Sequence, residues 1–386
     1  MSRTILSLDF YGKGITAALA TIDEKTDTLR IRTILRNEGT AFSDGFVRDM
    51  EKAKQELTHI LNKILCLTDA LPTVVVGVRG TFLSFQHRTG FATVTSRGRV
   101  IREPDIDEVI KNSIPANLSE SETQEVLDIL PLSYAVDGNI GIKDPNGMSG
   151  FTLEAETFLS LALISHLNNL NTILSACECG DYQILATSVA LGETVLSAAE
   201  HKASTLLLDV GQTSTSALFY QQGILMDGWE LNVGMDNFVA HVANLLQNDV
   251  DTTRQVLQEN PPGTDEYTDE LWEDAGEIMF EKIKKELLQS LPFIQHFPTH
   301  LVLCGYGANK FLLELAKSIF EMRKARIAVF DDLIADCDTN RPEYDGALSL
   351  IFHALEREKN ELGVAQVQEQ GLFDKVLSKF GLGSLF

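Results

Sequence analysis

Two short stretches of this chain follow one plan, and their recurrence constrains the fold more than any other feature. Near the N-terminus, Ile5-Leu6-Ser7-Leu8-Asp9 passes through Phe10-Tyr11-Gly12-Lys13-Gly14 into the apolar run Ile15-Thr16-Ala17-Ala18-Leu19. At Leu206-Leu207-Leu208-Asp209-Val210-Gly211-Gln212-Thr213-Ser214 the same order returns and runs into Ala217-Leu218-Phe219-Tyr220. Each reads as a buried strand, a tight turn and a returning strand, with an acid at the mouth of the turn. Gly permits close backbone approach, the N–H groups of such a turn can cradle a phosphate, and the Asp can hold a magnesium ion through water. Taken singly, either copy also fits an ordinary hairpin with Asp and Gly at its turn. Two copies 200 positions apart (209 − 9) predict a duplicated α/β architecture with a ligand cleft between the halves.

The 386 residues suffice for two or more domains, and an apolar fraction of 44% supplies real cores. A net charge of −23 argues against nucleic acid, which needs clustered Lys and Arg, and confines any membrane contact to a local segment. The five cysteines, Cys66, Cys177, Cys179, Cys304 and Cys337, are odd in number and show no framework. Cys177-Glu178-Cys179 lacks a second pair for a zinc site, so reduced thiols in a cytoplasmic protein are expected. Met1-Ser2-Arg3 leads straight into a strand with no signal peptide, and no apolar stretch is long enough to span a bilayer.

Between the hairpins the chain changes character. Leu29–Leu35 reads as a third strand, Phe46–Leu67 as a helix with Leu57, Ile60, Leu61 and Ile64 on one face, and Thr73–Val78 as a buried strand. A β-rich insertion of short strands follows, with one helix opened by Pro104 and Asp105, and Phe151–Leu161 reads as a strand returning to the main body. His166–Cys177 and Ser188–Ala199 read as helices and Tyr182–Leu185 as a strand. After the second hairpin, Trp229–Gly234 continues the sheet and Asp236 caps a helix. Residues 249–281 are acidic and read as a solvated helical face, with Trp272, Ile278, Met279, Ile283, Leu287 and Leu288 on the core side. Leu301–Cys304 is a strand ending in Gly305-Tyr306-Gly307-Ala308, where backbone can lie close to a base or ribose; an ordinary strand-to-helix turn is the alternative.

These three turns, in this order, resemble the first phosphate, second phosphate and adenosine motifs of the actin-like ATPase superfamily. Within it, the chain resembles the bacterial cell-division protein FtsA. Ser96–Ile106 is similar to that family's "G-x-x-I-T-x-x-D-V" segment, and Asp137–Ile142 with Asp144–Gly150 to its "D-G…G-I…P-x-G-M-x-G". Asn232-Val233-Gly234 resembles its "P-V-G-G" turn, and Pro342–Ala347 its last core motif. The resemblance implies an α/β actin-like (ribonuclease H-like, duplicated) fold with a small inserted α+β 1C subdomain. It implies subdomain 1A over 1–83 and 161–200, 1C over 84–160, 2A over 201–236, 2B over 237–297, and the end of 2A with a closing 1A helix over 298–355. ATP and magnesium are the implied cofactors. Asp9, Gly12, Lys13, Gly14, Asp209, Gly211, Gln212, Thr213, Ser214, Gly234, Gly305, Tyr306, Gly307 and Ala308 would bind the nucleotide, and Asp9 and Asp209 the metal. The chain departs from the family pattern at Tyr11, Gln212, Ser216, Met235 and Tyr306. Each puts a side chain where close approach to nucleotide is expected, so at most a weak ATPase is implied.

Residues 356–370 read as a polar linker and 371–386 as an amphipathic helix. Leu372, Phe373, Val376, Leu377 and Phe380 share one face, suited to a membrane interface. Docking on the chain's own domain or on a neighbour is the alternative reading of that face; FtsA ends in such a targeting helix. The resemblance implies filaments of the chain held on the inner face of the cytoplasmic membrane at the division site. Its implied partners are the tubulin-like FtsZ, through its C-terminal peptide and the 2B helices, and other divisome proteins through 1C. Two alternatives are a PilM-like soluble adaptor of pilus assembly and a sugar- or acetate-kinase-type enzyme of the same superfamily; no motif for a catalytic acid in the cleft supports the kinase.

Overall fold

A computed structural model describes residues 2–23, 28–68, 72–94, 98–119, 123–264, 266–290, 298–330 and 333–356. The first half begins with three antiparallel strands, β1 (Ser2–Tyr11), β2 (Gly14–Asp23) and β3 (Thr28–Glu38). A two-residue ribbon, β4 (Phe42–Ser43) and β5 (Phe46–Val47), precedes α1 (Met50–Leu65), and β6 (Thr73–Val78) then returns parallel to β1. The helical pattern read from Phe46 therefore starts four residues later. The Asp49 side chain accepts a hydrogen bond from the Lys52 N–H and fixes the N-terminus, while Ala53, Leu57, Ile60, Leu61 and Ile64 form the buried face.

The insertion comprises β7 (Leu83–Thr93), β8 (Arg99–Val100), α2 (Glu103–Lys111), α3 (Ala116–Ser119), β9 (Gln124–Val136), β10 (Asn139–Ile142), β11 (Ser149–Gly150) and β12 (Thr152–Leu163). Its main sheet has the order β10-β9-β12-β7. The run expected to rejoin the main body is β12, which pairs along its whole length with β7 and β9 inside this sheet. Continuous apolar character misled here, because its C-terminal half is covered on both faces. Helix α2 packs through Val109 on Tyr134, Val136, Leu153 and Ala155. It lies so close to Gly90 that a Cβ there would stand 2.0 Å from the Val109 carbonyl oxygen.

The chain continues through α4 (Ile164–Ala176), β13 (Tyr182–Ala186), α5 (Thr187–Val195) and α6 (Ala198–Lys202). The single helix expected over Ser188–Ala199 is two, divided at Leu196–Ser197, where Ser197 and Glu200 form a reciprocal cap. The second half repeats the first: β14 (Thr205–Val210), β15 (Thr215–Gln221), β16 (Ile224–Leu231), then α7 (Met235–Leu246), α8 (Val250–Glu259), α9 (Glu266–Ser290), β17 (His300–Cys304), α10 (Lys310–Ile319) and β18 (Lys324–Ile327). Strand β19 (Ile334–Ala335) returns to the edge of the first sheet, and a 3-10 turn, Pro342–Tyr344, leads into a helix over 345–356. The sheets run β13-β6-β1-β2-β3-β19 and β16-β15-β14-β17-β18. Apart from the added β19, the five-strand orders superpose: β1 on β14, β2 on β15, β3 on β16, β6 on β17 and β13 on β18.

Each sheet is buried on both faces. One core joins α1 and α4 to the first sheet and reaches Leu207, Leu218 and Val302 of the second; another packs Ala347, Leu348, Leu350 and Ile351 of the last helix beneath the first sheet. Helix α9 contributes Trp272, Met279, Ile283 and Leu287 to the second core. Ile278 and Leu288, expected beside them, are 48% exposed because the buried stripe follows 272-275-279-280-283-287. The Glu and Asp side chains at 273, 274, 277 and 281 face solvent as the charge pattern predicted. Asp236 is not a cap: Gly234 occupies that position and Asp236 lies in the first turn of α7. All five cysteines are free thiols.

His166 on α4 is 1% exposed, wedged between Phe82 and Phe46 at ring distances of 3.8 and 5.4 Å, and neither ring nitrogen has a partner. Burial lowers its pKa to about 4, so the folded chain keeps it neutral where the unfolded chain protonates it. Its stabilising contribution is complete above the ordinary histidine pKa of about 6.5 and is lost as pH falls from there towards 4, with a ceiling of about 3 kcal/mol. Denaturant titrations across pH 7 to 4 should show this slope in the wild type and a shallower one in His166→Phe; equal slopes would remove His166 from the account.

Candidate functional site

The two hairpin turns meet at the centre of the molecule. Asp9 lies near the end of β1 and Asp209 near the end of β14, both almost wholly buried. The turns touch: a Cβ on Gly12 would stand 2.2 Å from the Thr213 hydroxyl oxygen. A cavity of about 30 Å³ remains, lined by Asp9, Gly12, Asp209, Gly211, Gln212, Thr213, Ser214, Gly305 and Tyr306 among the expected residues and by Tyr11, Arg36, Arg79, Ser216, Pro342 and Glu343 besides. That is space for about two water molecules.

The remaining expected residues stand just outside that lining. Lys13 pairs with Asp236 at 2.6 Å, across from one half to the other. Gly14 abuts the Asn37 carbonyl, Gly234 abuts Gln212, and Gly307 abuts Val210 and Met235, each too close for a Cβ. Ala308 is buried in the second core. Gly305 has φ +81, and a side chain there would collide with the Asp209 carboxylate. Leu372, Phe373, Val376, Leu377 and Phe380, the expected membrane face, lie outside the described residues, as do the rest of the amphipathic segment, residues 357–370 of the linker and Ser96-Arg97.

The residue that sequence reasoning missed is Arg79. It follows β6 directly, two positions past Gly77, which pairs with Asp9. Its Nε and Nη2 donate to Asp9 at 3.2 and 2.9 Å, and Nη1 donates to Asp209. Thr187 donates to the same Asp9 carboxylate at 2.7 Å. The only sequence signal was an arginine directly after the β-branched run Thr73–Val78 and before a glycine. Burial acts to lower the pKa of the Arg79 guanidinium, but Asp209 and Asp9 outweigh it and raise it above the usual value. Burial pushes the Glu230 carboxyl up to about 8 and that of Asp345 well above its ordinary range, favouring their neutral forms. Further out, the Arg36 guanidinium lies 3.9 Å from the Tyr11 ring and 5.6 Å from that of Tyr306.

The magnesium that the resemblance implies does not fit between these carboxylates as they stand. A guanidinium bridges Asp9 and Asp209, and among the described residues no group of three or more His, Cys, Asp or Glu side chains could hold a metal ion. Asp209 Oδ1 has no partner, and a Cβ on Gly305 would stand 2.1 Å from it.

Residues 80–160, the inserted domain, match the family model described as "SHS2 domain inserted in FTSA". The chain is FtsA-like. It is 21% identical to the cell division protein FtsA of Pseudomonas aeruginosa over 397 aligned positions, covering 94% of this chain and 92% of that one. It is 22% identical to FtsA of Streptococcus pneumoniae, over 58% of this chain and 49% of the relative, so that match spans about half of the pneumococcal protein. Among solved structures, the PilM-PilN type IV pilus biogenesis complex matches with a TM-score of 0.62 at 16% identity, covering 90% of this chain and 98% of the other; at that identity the likeness establishes the actin-like fold alone. In this FtsA-like chain the four-stranded insertion is the SHS2 domain.

Proposed function

We propose that this FtsA-like protein is a cell-division adaptor that tethers FtsZ filaments to the cytoplasmic membrane. The observation that carries the reading is the SHS2 domain at 80–160 within a chain that aligns with the Pseudomonas aeruginosa FtsA over 94% of its length. In this reading FtsZ docks by its C-terminal peptide on the 2B helices, α7 to α9, and copies of the chain associate into filaments. Residues 371–386 bind the lipid surface, and other divisome proteins contact the SHS2 domain. Five large apolar side chains on one face, each worth roughly 1.5–3 kcal/mol when fully buried, give weak reversible attachment when partly inserted, which filament avidity multiplies. Among the described residues no helix is long and apolar enough to cross a membrane.

The test is co-sedimentation with liposomes of the full chain and of a chain ending at Gln370. The full chain should pellet with lipid and the shortened chain remain in solution. If neither pellets at high protein concentration, the tail is no anchor, and a soluble adaptor of the PilM kind takes precedence.

A further inference from the structure

We infer that Arg79 is a built-in replacement for the divalent cation, locking the two halves together and closing the cleft to magnesium-bound nucleoside triphosphate. In a duplicated fold of this type a phosphate chain and its metal must enter between the two turns. Here that position is filled in three layers. At the bottom the guanidinium of Arg79 takes both carboxylates, one from each half, as a bridging cation would. At turn level Gly12 and Thr213 are in contact, so no phosphate passes between them. At the mouth Lys13 reaches Asp236 at 2.6 Å and Gln212 reaches Glu38 at 3.4 Å, while Arg36 lies between the rings of Tyr11 and Tyr306.

The register shows that this filling is built into the duplication. Asp9 pairs with Gly77 and Asp209 with Cys304, so Arg79 and Tyr306 hold equivalent places, each two residues beyond its strand partner. Each half thus sends one large side chain into the cleft from the same position. Gly346 makes room for the first: a Cβ there would stand 1.7 Å from Arg79 Nη2. An arginine with a fixed fork and a permanent charge suits two carboxylates, and unlike magnesium it cannot dissociate. The halves are then held without a nucleotide, and any assembly of this chain is set by its concentration or by the membrane.

The experiment uses the full chain. Calorimetric titration of Mg-ATP into wild type should give no saturable heat, and neither Mg-ATP nor EDTA should shift the thermal midpoint. Titrated with Mn²⁺ and followed by electron paramagnetic resonance, the wild type should leave the free-ion signal unchanged. Arg79→Ala, with both carboxylates released, should take up one Mn²⁺ per chain and lose that uptake on adding Asp9→Asn. Arg79→Gln serves in its place if the alanine variant does not fold. Saturable micromolar Mg-ATP binding by the wild type overturns the inference, as does a folded Arg79 variant that takes up no Mn²⁺. None of these outcomes depends on lipid or FtsZ, so their failure is separable from failure of the adaptor reading.

Discussion

Gly346→Ala should destabilise the fold by about 3–5 kcal/mol, although it adds a single methyl group to a residue far from either hairpin in sequence. The new Cβ would lie 1.7 Å from Arg79 Nη2 and 2.4 Å from Asp9 Oδ2. The guanidinium has to shift out of the fork it makes with both acids, and two buried carboxylates lose that pairing. Breaking a buried pair by displacing one partner costs that much because the charge left behind is neither hydrated nor compensated. Gly223→Ala is the control. Gly223 has φ +87 with nothing within 4 Å of its would-be Cβ, so only the left-handed backbone penalty of about 1 kcal/mol applies. Urea denaturation of both variants measures the difference. A Gly346→Ala loss no larger than the control would mean that Arg79 can move aside freely, and the lock would not exist.

Phe158→Ala should cost about 3–5 kcal/mol and loosen the SHS2 domain from the second half. Phe158 is in β12, is 1% exposed and stacks on Phe85 of β7 at 5.4 Å. Both rings press on Gly228 of β16, where a Cβ would be 3.0 Å from Phe85 and 3.1 Å from Phe158. This contact joins the insertion to the other half of the molecule. Truncating the ring removes its transfer energy and leaves a cavity that two sheets cannot collapse to fill. Denaturation should show the loss, and hydrogen exchange should show faster exchange in β12 and β16 together. Loss of protection confined to β12 would mean that the insertion hangs from the first half alone.

Most of the architecture was legible because it is written locally. Asp9 with Gly12 and Asp209 with Gly211 each sit in a hairpin whose strands are continuous in sequence, and the spacing of the copies disclosed the duplication. The glycines read as permitting close approach do so at Gly12, Gly234, Gly305 and Gly307, although protein groups meet them there. What could not be read is non-local. Arg79 finds partners 70 and 130 positions away, and nothing about an arginine after Val78 tells where its side chain points. The assignment of β12 to the main body failed because an apolar run looks the same in any sheet that is covered on both faces. Asp236 reads as a cap because Asp favours that position; in the fold Gly234 is the cap, and Asp236 serves Lys13 and Arg254 as an ion-pair partner.

The adaptor reading and the arginine lock together make one demand: this chain should carry FtsZ to a membrane without a nucleotide of its own. The most direct measurement places FtsZ with GTP on liposomes, with ATP absent, and records FtsZ in the lipid pellet with and without the full chain. FtsZ should pellet with lipid only when the chain is present, to the same extent after Mg-ATP is added, and not with the chain ending at Gln370. FtsZ left in the supernatant while the full chain itself pellets would contradict the account.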